Sequence, residues 1–84
     1  MHIAYHKKFK KAFVRQPKSI QEKFFERLEI FAQDQFHYLL NNHALAGEFL
    51  GWRSFNVTGD IRVHYEEIPG GVVLMSIGSH SELY

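Results

Sequence analysis

The spacing of apolar residues near the start of the sequence predicts a short amphipathic helix over residues 5–15. Tyr5, Phe9 and Phe13 recur at four-residue steps, which places them on one face of a helix. Basic residues fill much of the opposite face. Pro17 predicts the end of this helix close by, because the residue before a proline is disfavoured in the helical region. The pattern therefore indicates a helix with one aromatic stripe to bury.

A second helix is predicted from Ser19 to about Phe36. Ser19 and Glu22 have the Ser-x-x-Glu spacing of a capping box, which satisfies free backbone amides at a helix start. Its apolar face is formed by Ile20, Phe24, Phe25, Leu28, Phe31, Ala32 and Phe36. Only a few residues separate the two helices, so we expect an antiparallel helical hairpin.

The second half of the sequence is predicted to form strands. Residues 37–51 look irregular, and three strand-like segments follow at 52–57, 61–68 and 72–77, separated by turn sequences that contain Gly, Asp and Pro. Helices followed by such a meander predict an α+β fold. The helical hairpin should pack on one face of a small antiparallel sheet.

Alternation within the middle strand separates its side chains into two sets. Val63 and Tyr65 point to one face, and Arg62 and His64 to the other. A charged side chain in mid-strand belongs on the face away from the core, which is expected to be open. Arg62 there is either a solvated surface residue or a clamp for phosphate, whose oxygens match the planar donors of a guanidinium.

Composition limits the kinds of protein and site. Eighty-four residues suit one domain with a modest core. The absence of cysteine excludes disulfides and thiolate metal sites, and it fits a reducing cytoplasm, where we expect the protein to act. No apolar run is long enough to cross a bilayer, so no membrane partner is expected. The histidines and acids lack the spacing of metal ligands, and neither a metal nor a cofactor is predicted.

The charge is distributed unevenly. Residues 1–27 carry eight Lys or Arg side chains and two acids, whereas residues 28–84 carry two Arg side chains and seven acids. The whole chain has a formal net charge of +1. One end should therefore attract a polyanion although the total is nearly neutral.

Two motifs in the second half carry a resemblance to a known family. Residues 43–47 read His-Ala-Leu-Ala-Gly, and residues 77–84 read Ile-Gly-Ser-His-Ser-Glu-Leu-Tyr. They resemble the His-x-Leu-x-Gly and Gly-Thr-His-x-x-Leu-Phe/Tyr patterns of the RelE-like toxins of toxin–antitoxin systems, and most of all the YafQ-like branch. The resemblance covers nearly the whole chain. It implies a RelE-like toxin domain over residues 1–84, with an additional strand at residues 1–4.

The same resemblance implies a set of catalytic residues. His80 would be the general acid, and Tyr84 would stack on a base or support that proton transfer; its alternative is a frayed terminal residue. His43 corresponds to a catalytic histidine on the loop before the sheet. Asp60 corresponds to an acidic site residue, although Gly-Asp is equally ordinary in a turn. Arg62 corresponds to the phosphate-binding arginine.

Further residues are candidates for binding the substrate. His64 lies on the strand face of Arg62 and is our own addition to the site. Arg53 is a second candidate, but it shares a face with apolar residues and is alternatively an anchor of the fold. Lys7, Lys8 and Lys11 crowd one helix and are either a solvated face or a contact to RNA phosphates.

The sequence departs from the YafQ-like pattern at three positions. Ser54 and Asn56 stand where that branch has an acid and a histidine, and Ile61 stands where it has an aromatic residue. The predicted site is therefore poorer in titratable groups than in that branch.

The resemblance implies a ribosome-dependent endoribonuclease that cuts messenger RNA in the ribosomal A site without a metal. Its expected partners are a cognate antitoxin protein, the ribosome and messenger RNA. Two alternatives share the fold: a ParE-like poison of DNA gyrase, which cleaves nothing, and a decayed RelE-fold protein that acts only by binding.

Overall fold

The computed structural model describes residues 1–84 as a five-stranded sheet with two helices between its first and second strands and a short helix at the end. In chain order the elements are β1 (His2–Tyr5), α1 (Lys7–Val14), α2 (Lys18–Gln33), β2 (His43–Ala44), β3 (Trp52–Asn56), β4 (Ile61–Ile68), β5 (Gly71–Ser79) and α3 (His80–Leu83). Two short 3₁₀ helices, Tyr38–Leu40 and Gly47–Phe49, lie in the segment that was predicted to be irregular. The α+β prediction is confirmed.

The sheet is mixed, and here the prediction of an antiparallel sheet needs correction. Its strand order is β1-β5-β4-β3-β2, and every pair is antiparallel except β1 with β5, which is parallel. The strand implied by the resemblance is present as β1, which pairs from His2 opposite Gly71 to Tyr5 opposite Leu74. Tyr5 thus ends a strand and does not begin a helix.

The helix ends also differ from the prediction. His6 precedes α1, and its Nδ1 accepts a hydrogen bond from the Lys8 amide at 3.0 Å. α2 begins directly after Pro17, without a side-chain cap, so the predicted capping box at Ser19 is wrong. The carbonyl of Pro17 already accepts two amides of the first turn. Proline before the first turn fits because its fixed φ and missing amide cost nothing there. α2 ends at Gln33, short of Phe36.

Both long helices pack on one face of the sheet through aromatic rings. Phe24 of α2 contacts Phe9 and Phe13 of α1, with ring centroids 5.4 and 5.2 Å apart. Phe31 of α2 lies 4.7 Å from Phe55 on β3 and 5.0 Å from Tyr65 on β4. Together with other buried residues of β4 and β5, these rings form the core. Phe9 and Phe13 of the predicted aromatic stripe thus join α1 to α2, and Phe31 joins α2 to the sheet.

The opposite face of the sheet carries polar residues in rows across the strands. His43, Ser54, His64 and Ser76 are directly opposite one another on β2, β3, β4 and β5, and such partners project on the same side. Opposite His64, β5 contains a bulge with one extra residue, Met75. Because of this bulge, the apolar residues of β5 before and after Met75 face the core. None of the helices combines the length and the apolar composition that a membrane span requires.

Candidate active site

The candidate site begins with the polar rows on the sheet face away from the helices. Beyond the row that contains His64, Asn56 on β3 lies opposite Arg62 on β4, and Arg62 lies opposite Gly78 on β5. Alternation along β4 therefore places Arg62 and His64 on one face, as predicted. Residues from four strands meet there.

His64 is buried within this face. Its side chain is covered by Phe49, Trp52 and Tyr84, whose ring centroids lie 5.0, 6.5 and 5.1 Å from its own. Its Nε2 is 2.8 Å from the Tyr84 hydroxyl. The face is therefore not open at this point, and His64 is not the exposed substrate contact that its strand position predicted. The signal that was missed is Phe49, an aromatic residue in the irregular segment that folds back over the strand.

Burial also determines the charge state of His64. Its pKa falls from 6.5 to about 4, first because desolvation penalises the cation, and then because His43, when its ring is protonated, and Arg62 repel that cation. The imidazole is therefore neutral at pH 7. A neutral histidine can hold the Tyr84 hydroxyl, but it supplies no positive charge for a phosphate.

His80 and Tyr84 come to the site through α3. The helix is fixed at its start by a capping box in which the Glu82 amide donates to Ser79 Oγ at 3.3 Å and the Ser79 amide donates to Glu82 Oε1 at 2.8 Å. The hydrogen bond from the Ser79 amide, followed by the one from the Ser79 side chain, lowers the pKa of the Glu82 carboxyl. The exposed His80 ring then lies 4.6 Å from the Tyr84 ring, which in turn contacts His64. Tyr84 thus connects an exposed histidine to a buried one.

His43 presents one nitrogen to the site. Its Nδ1 lies 2.9 Å from the carbonyl oxygen of Asn41. A carbonyl can only accept, so this nitrogen must carry the proton, and Nε2 of the neutral ring is left with a free lone pair. The half-buried side chain stands at the end of the row that contains His64. This tautomer suits a group that accepts a proton.

Arg62 brings an unpaired positive charge. The one salt bridge in the chain joins Lys23 to Glu26, so no carboxylate neutralises the Arg62 guanidinium. Its Nε is buried without a hydrogen-bond partner. An uncompensated guanidinium on a histidine-lined face is suited to bind an anionic group.

Unpartnered polar atoms are concentrated on this face. Five buried side-chain atoms in the chain have no hydrogen-bond partner, and four of them belong to neighbouring site positions: Ser54 Oγ, Asn56 Oδ1, Arg62 Nε and His64 Nδ1. Each such group costs on the order of 1–3 kcal/mol. A cluster of them marks a place where the sequence does not maximise stability.

Asp60 lies at the edge of the candidate site. It occupies the exposed turn between β3 and β4, where its amide and that of Ile61 donate to Thr58 Oγ1 at 3.2 and 3.0 Å. Its carboxylate forms no salt bridge with Arg62. The structure therefore shows the turn role that the sequence left open, and does not join Asp60 to the histidine cluster.

Arg53 lies on the other side of the sheet. Its Nε donates to Asn42 Oδ1 at 2.8 Å, and its guanidinium stands 5.2 Å above the Phe36 ring. Asn42 also donates to the Tyr65 hydroxyl at 2.6 Å. Arg53 thus anchors the loop after α2, which was its alternative interpretation, and the structure does not bring it to the candidate site.

Three of the four lysines of α1, namely Lys7, Lys8 and Lys11, were predicted to contact RNA; all three are exposed, and they differ in position. Lys8 lines a groove together with Phe49 and Trp52, which are two of the three rings that cover His64. Lys7 and Lys11 do not line that groove. The structure therefore places His43, Arg62 and His64 on one face of the sheet, connects His80 to that face through Tyr84, and places Lys8 in the adjoining groove.

In comparisons by sequence, no family model and no curated protein matches the chain. Solved structures do match it. The crystal structure of YafQ from E. coli strain BL21(DE3) has a TM-score of 0.84 at 17% identity, covering 99% of this chain and 97% of that one. The YoeB/ParE toxin from Agrobacterium tumefaciens has a TM-score of 0.77 at 18% identity, covering 95% of this chain and 99% of that one.

A third match comes from the E. coli DinJ-YafQ toxin-antitoxin complex, with a TM-score of 0.72 at 19% identity over 99% of this chain and 96% of that one. The chain therefore has the fold of the RelE-like toxins, and the predicted resemblance is confirmed for the fold.

Proposed function

We propose that this chain is the toxin of a toxin–antitoxin pair and acts as a ribosome-dependent endoribonuclease on messenger RNA. The observation that carries the proposal is that His43 and Arg62 lie on the sheet face away from the core, and that Tyr84 packs against His80 and contacts His64 on that face. Histidine exchanges protons near neutral pH, and arginine binds phosphate. The fold shared with YafQ and YoeB/ParE toxins supports the same conclusion.

The proposed reaction is an internal displacement within the message. The ribose 2′ hydroxyl attacks the adjacent phosphorus, the bond from the 2′ oxygen to phosphorus forms, and the bond from phosphorus to the 5′ oxygen breaks. His43 Nε2 takes the proton of the 2′ hydroxyl, because its lone pair is free. His80 gives a proton to the departing 5′ oxygen. The products are a 2′,3′-cyclic phosphate and a 5′ hydroxyl, and the two proton transfers are assigned to side chains without a metal ion.

In the proposed reaction Arg62 stabilises negative charge on the phosphate. The phosphorus centre gains negative charge as the two oxygens exchange, and an unpaired guanidinium stabilises that charge more than it stabilises the starting diester. Tyr84 orients the His80 ring against which it packs. His64, neutral and buried, holds Tyr84.

The partners follow from charge and from the fold. The basic start of the chain gives it a surface that attracts ribosomal or messenger RNA. A cognate antitoxin is supported by the DinJ-YafQ complex, in which a protein of this fold is bound by its antitoxin. We place the action of the free toxin in the cytoplasm, where ribosomes translate.

Cleavage by purified protein on ribosomes that carry a defined message tests the scheme. Under single-turnover conditions we expect His80→Ala and Arg62→Ala each to lower the rate by about 10²–10³. Arg53→Ala is the matched control, since this arginine lies on the opposite face, and it should cleave at a nearly normal rate once folding is verified. Normal rates for both site variants would refute the assignment.

A further inference from the structure

A groove of about 470 Å³ runs beside the candidate active site. Phe49 and Trp52 line it, together with the bulged part of β5. It is continuous with the site, because the Phe49 ring also contacts the rings of His64 and Tyr84, at 5.0 and 5.4 Å. A ligand in the groove would therefore be a neighbour of whatever occupies the site.

The groove has an aromatic side. The Phe49 and Trp52 rings lie 5.6 Å apart at an angle of 36°, and both are partly exposed, unlike the aromatic rings of the core. Flat apolar surfaces of this kind bind nucleobases by stacking, with little dependence on which base is present. The aromatic side suits a base, and a phosphate alone would gain nothing from it.

The groove also carries one charge of each sign. Lys8 reaches it from the start of α1, and its ammonium has no salt-bridge partner. Glu82 reaches it from α3, where one carboxylate oxygen is occupied by the Ser79 amide. A free anion in the groove would be attracted by Lys8 and repelled by Glu82. A nucleotide, with an anionic phosphate at one end and a polar base at the other, matches a groove with a cation, a carboxylate and aromatic rings.

We propose that this groove is a second nucleotide subsite, which binds the RNA residue next to the one cleaved. Its base lies against Phe49 and Trp52, and its phosphate lies at Lys8. The inference rests on the proposed nuclease function for the identity of the ligand, and it adds a position outside the reacting bond. The subsite contributes binding and alignment of the strand, and no proton transfer.

Trp52 allows a direct test, because it is the only tryptophan in the chain. The probe is an RNA trinucleotide with a 2′-O-methyl group on every residue, which lacks the attacking hydroxyl and cannot be cleaved. Titration into the full chain, without ribosomes, should change Trp52 fluorescence in a saturable way. Inorganic phosphate alone should leave the fluorescence unchanged.

Two variants connect the signal to the groove. Phe49→Leu keeps much of the side-chain volume but removes the aromatic face, and it should weaken binding about ten-fold. Lys8→Gln should weaken binding and lower the slope of log affinity against log salt concentration by about 0.7, the value for one contact to a single strand. Lys18→Gln is the control, since that lysine is exposed at the start of α2 and does not line the groove. It should bind as the unmodified chain does.

Three results would overturn the subsite: no fluorescence change, an equal change with phosphate alone, or an equal loss of affinity in Lys8→Gln and Lys18→Gln. These results are distinct from failure of the nuclease proposal. A saturable, Lys8-dependent signal in a protein that cuts no message would support nucleotide binding in the groove and refute the nuclease.

Discussion

His64 shows how the surroundings of one residue decide its role. The strand pattern placed it beside Arg62, and the structure does so, but it also covers it with three aromatic rings. A histidine on an exposed strand would titrate near neutral pH, whereas this one stays neutral down to a pKa of about 4. We infer that the function of His64 is to hold the Tyr84 hydroxyl through its Nε2.

The depressed pKa of His64 predicts a pH dependence of stability. Because the unfolded state binds a proton near pH 6.5 and the folded state only near 4, stability contributed by this residue is complete above pH 6.5 and is lost as the pH falls towards 4. The loss should be on the order of 3 kcal/mol. Urea unfolding at a series of pH values measures it. In His64→Phe this segment of the pH profile should flatten, and an unchanged profile would contradict the assignment.

The contact between His64 and Tyr84 predicts an energetic coupling. Tyr84→Phe leaves Nε2 of the buried His64 without its partner and should cost about 1 kcal/mol or more in free energy of unfolding, and His64→Phe loses the same hydrogen bond. The double variant should cost about 1 kcal/mol less than the sum. Tyr38→Phe is the control, since Tyr38 is 82% exposed and should change little. Additive losses would show that the two side chains do not interact.

Residue positions could be predicted from the sequence only in part. Alternation placed Arg62 on the site face, and the resemblance named His43, His80 and Tyr84, which the structure brings together. Arg53 could not be assigned, because its partner Asn42 lies across a loop of unpredicted path. The covering of His64 depends on Phe49, which comes from a segment without periodicity.

At the scale of elements, α3 has four residues and nevertheless positions His80 and Tyr84. An isolated helix of this length would not form, so its geometry depends on what fixes its ends. The Ser79–Glu82 capping box fixes the start, and the hydrogen bond between Tyr84 and His64 fixes the end.

The capping box yields a prediction with a control built into the chain. Ser79→Ala removes the side-chain acceptor and should cost about 1 kcal/mol, with faster amide exchange in α3 and slower cleavage. Ser19→Ala removes a serine with the same Ser-x-x-Glu spacing that caps nothing, and we expect little change in any of these quantities. Equal losses in both variants would show that the cap at α3 has no special role.

Element types were predictable where a strong period was present, as in α2 and β4. Helix ends were predicted less well, because Pro17 was assigned only to the end of the first helix, whereas in the structure it also immediately precedes α2 and Ser19 caps nothing. The parallel pairing of β1 with β5 is a long-range contact, and a four-residue strand carries no sign of its partner.

At the scale of the molecule, one sheet serves two purposes. One face is covered by α1 and α2 and holds the apolar core, and the other carries the histidines and Arg62. Four buried polar atoms without hydrogen-bond partners lie on that second face. They lower the free energy of unfolding at the place where the chemistry is proposed. The basic start of the chain contributes Lys8 to the groove beside that face.

The central claim is that the chain cuts messages during translation, and mapping of RNA 5′ ends after induction in a bacterial host tests it most directly. Induction of the unmodified chain should produce cuts at fixed codon positions in translated messages. These cuts should disappear when translation is blocked and in His80→Ala, while Arg53→Ala should retain them. Growth arrest with intact messages, as expected of a gyrase poison, or cuts that persist in His80→Ala would contradict the account.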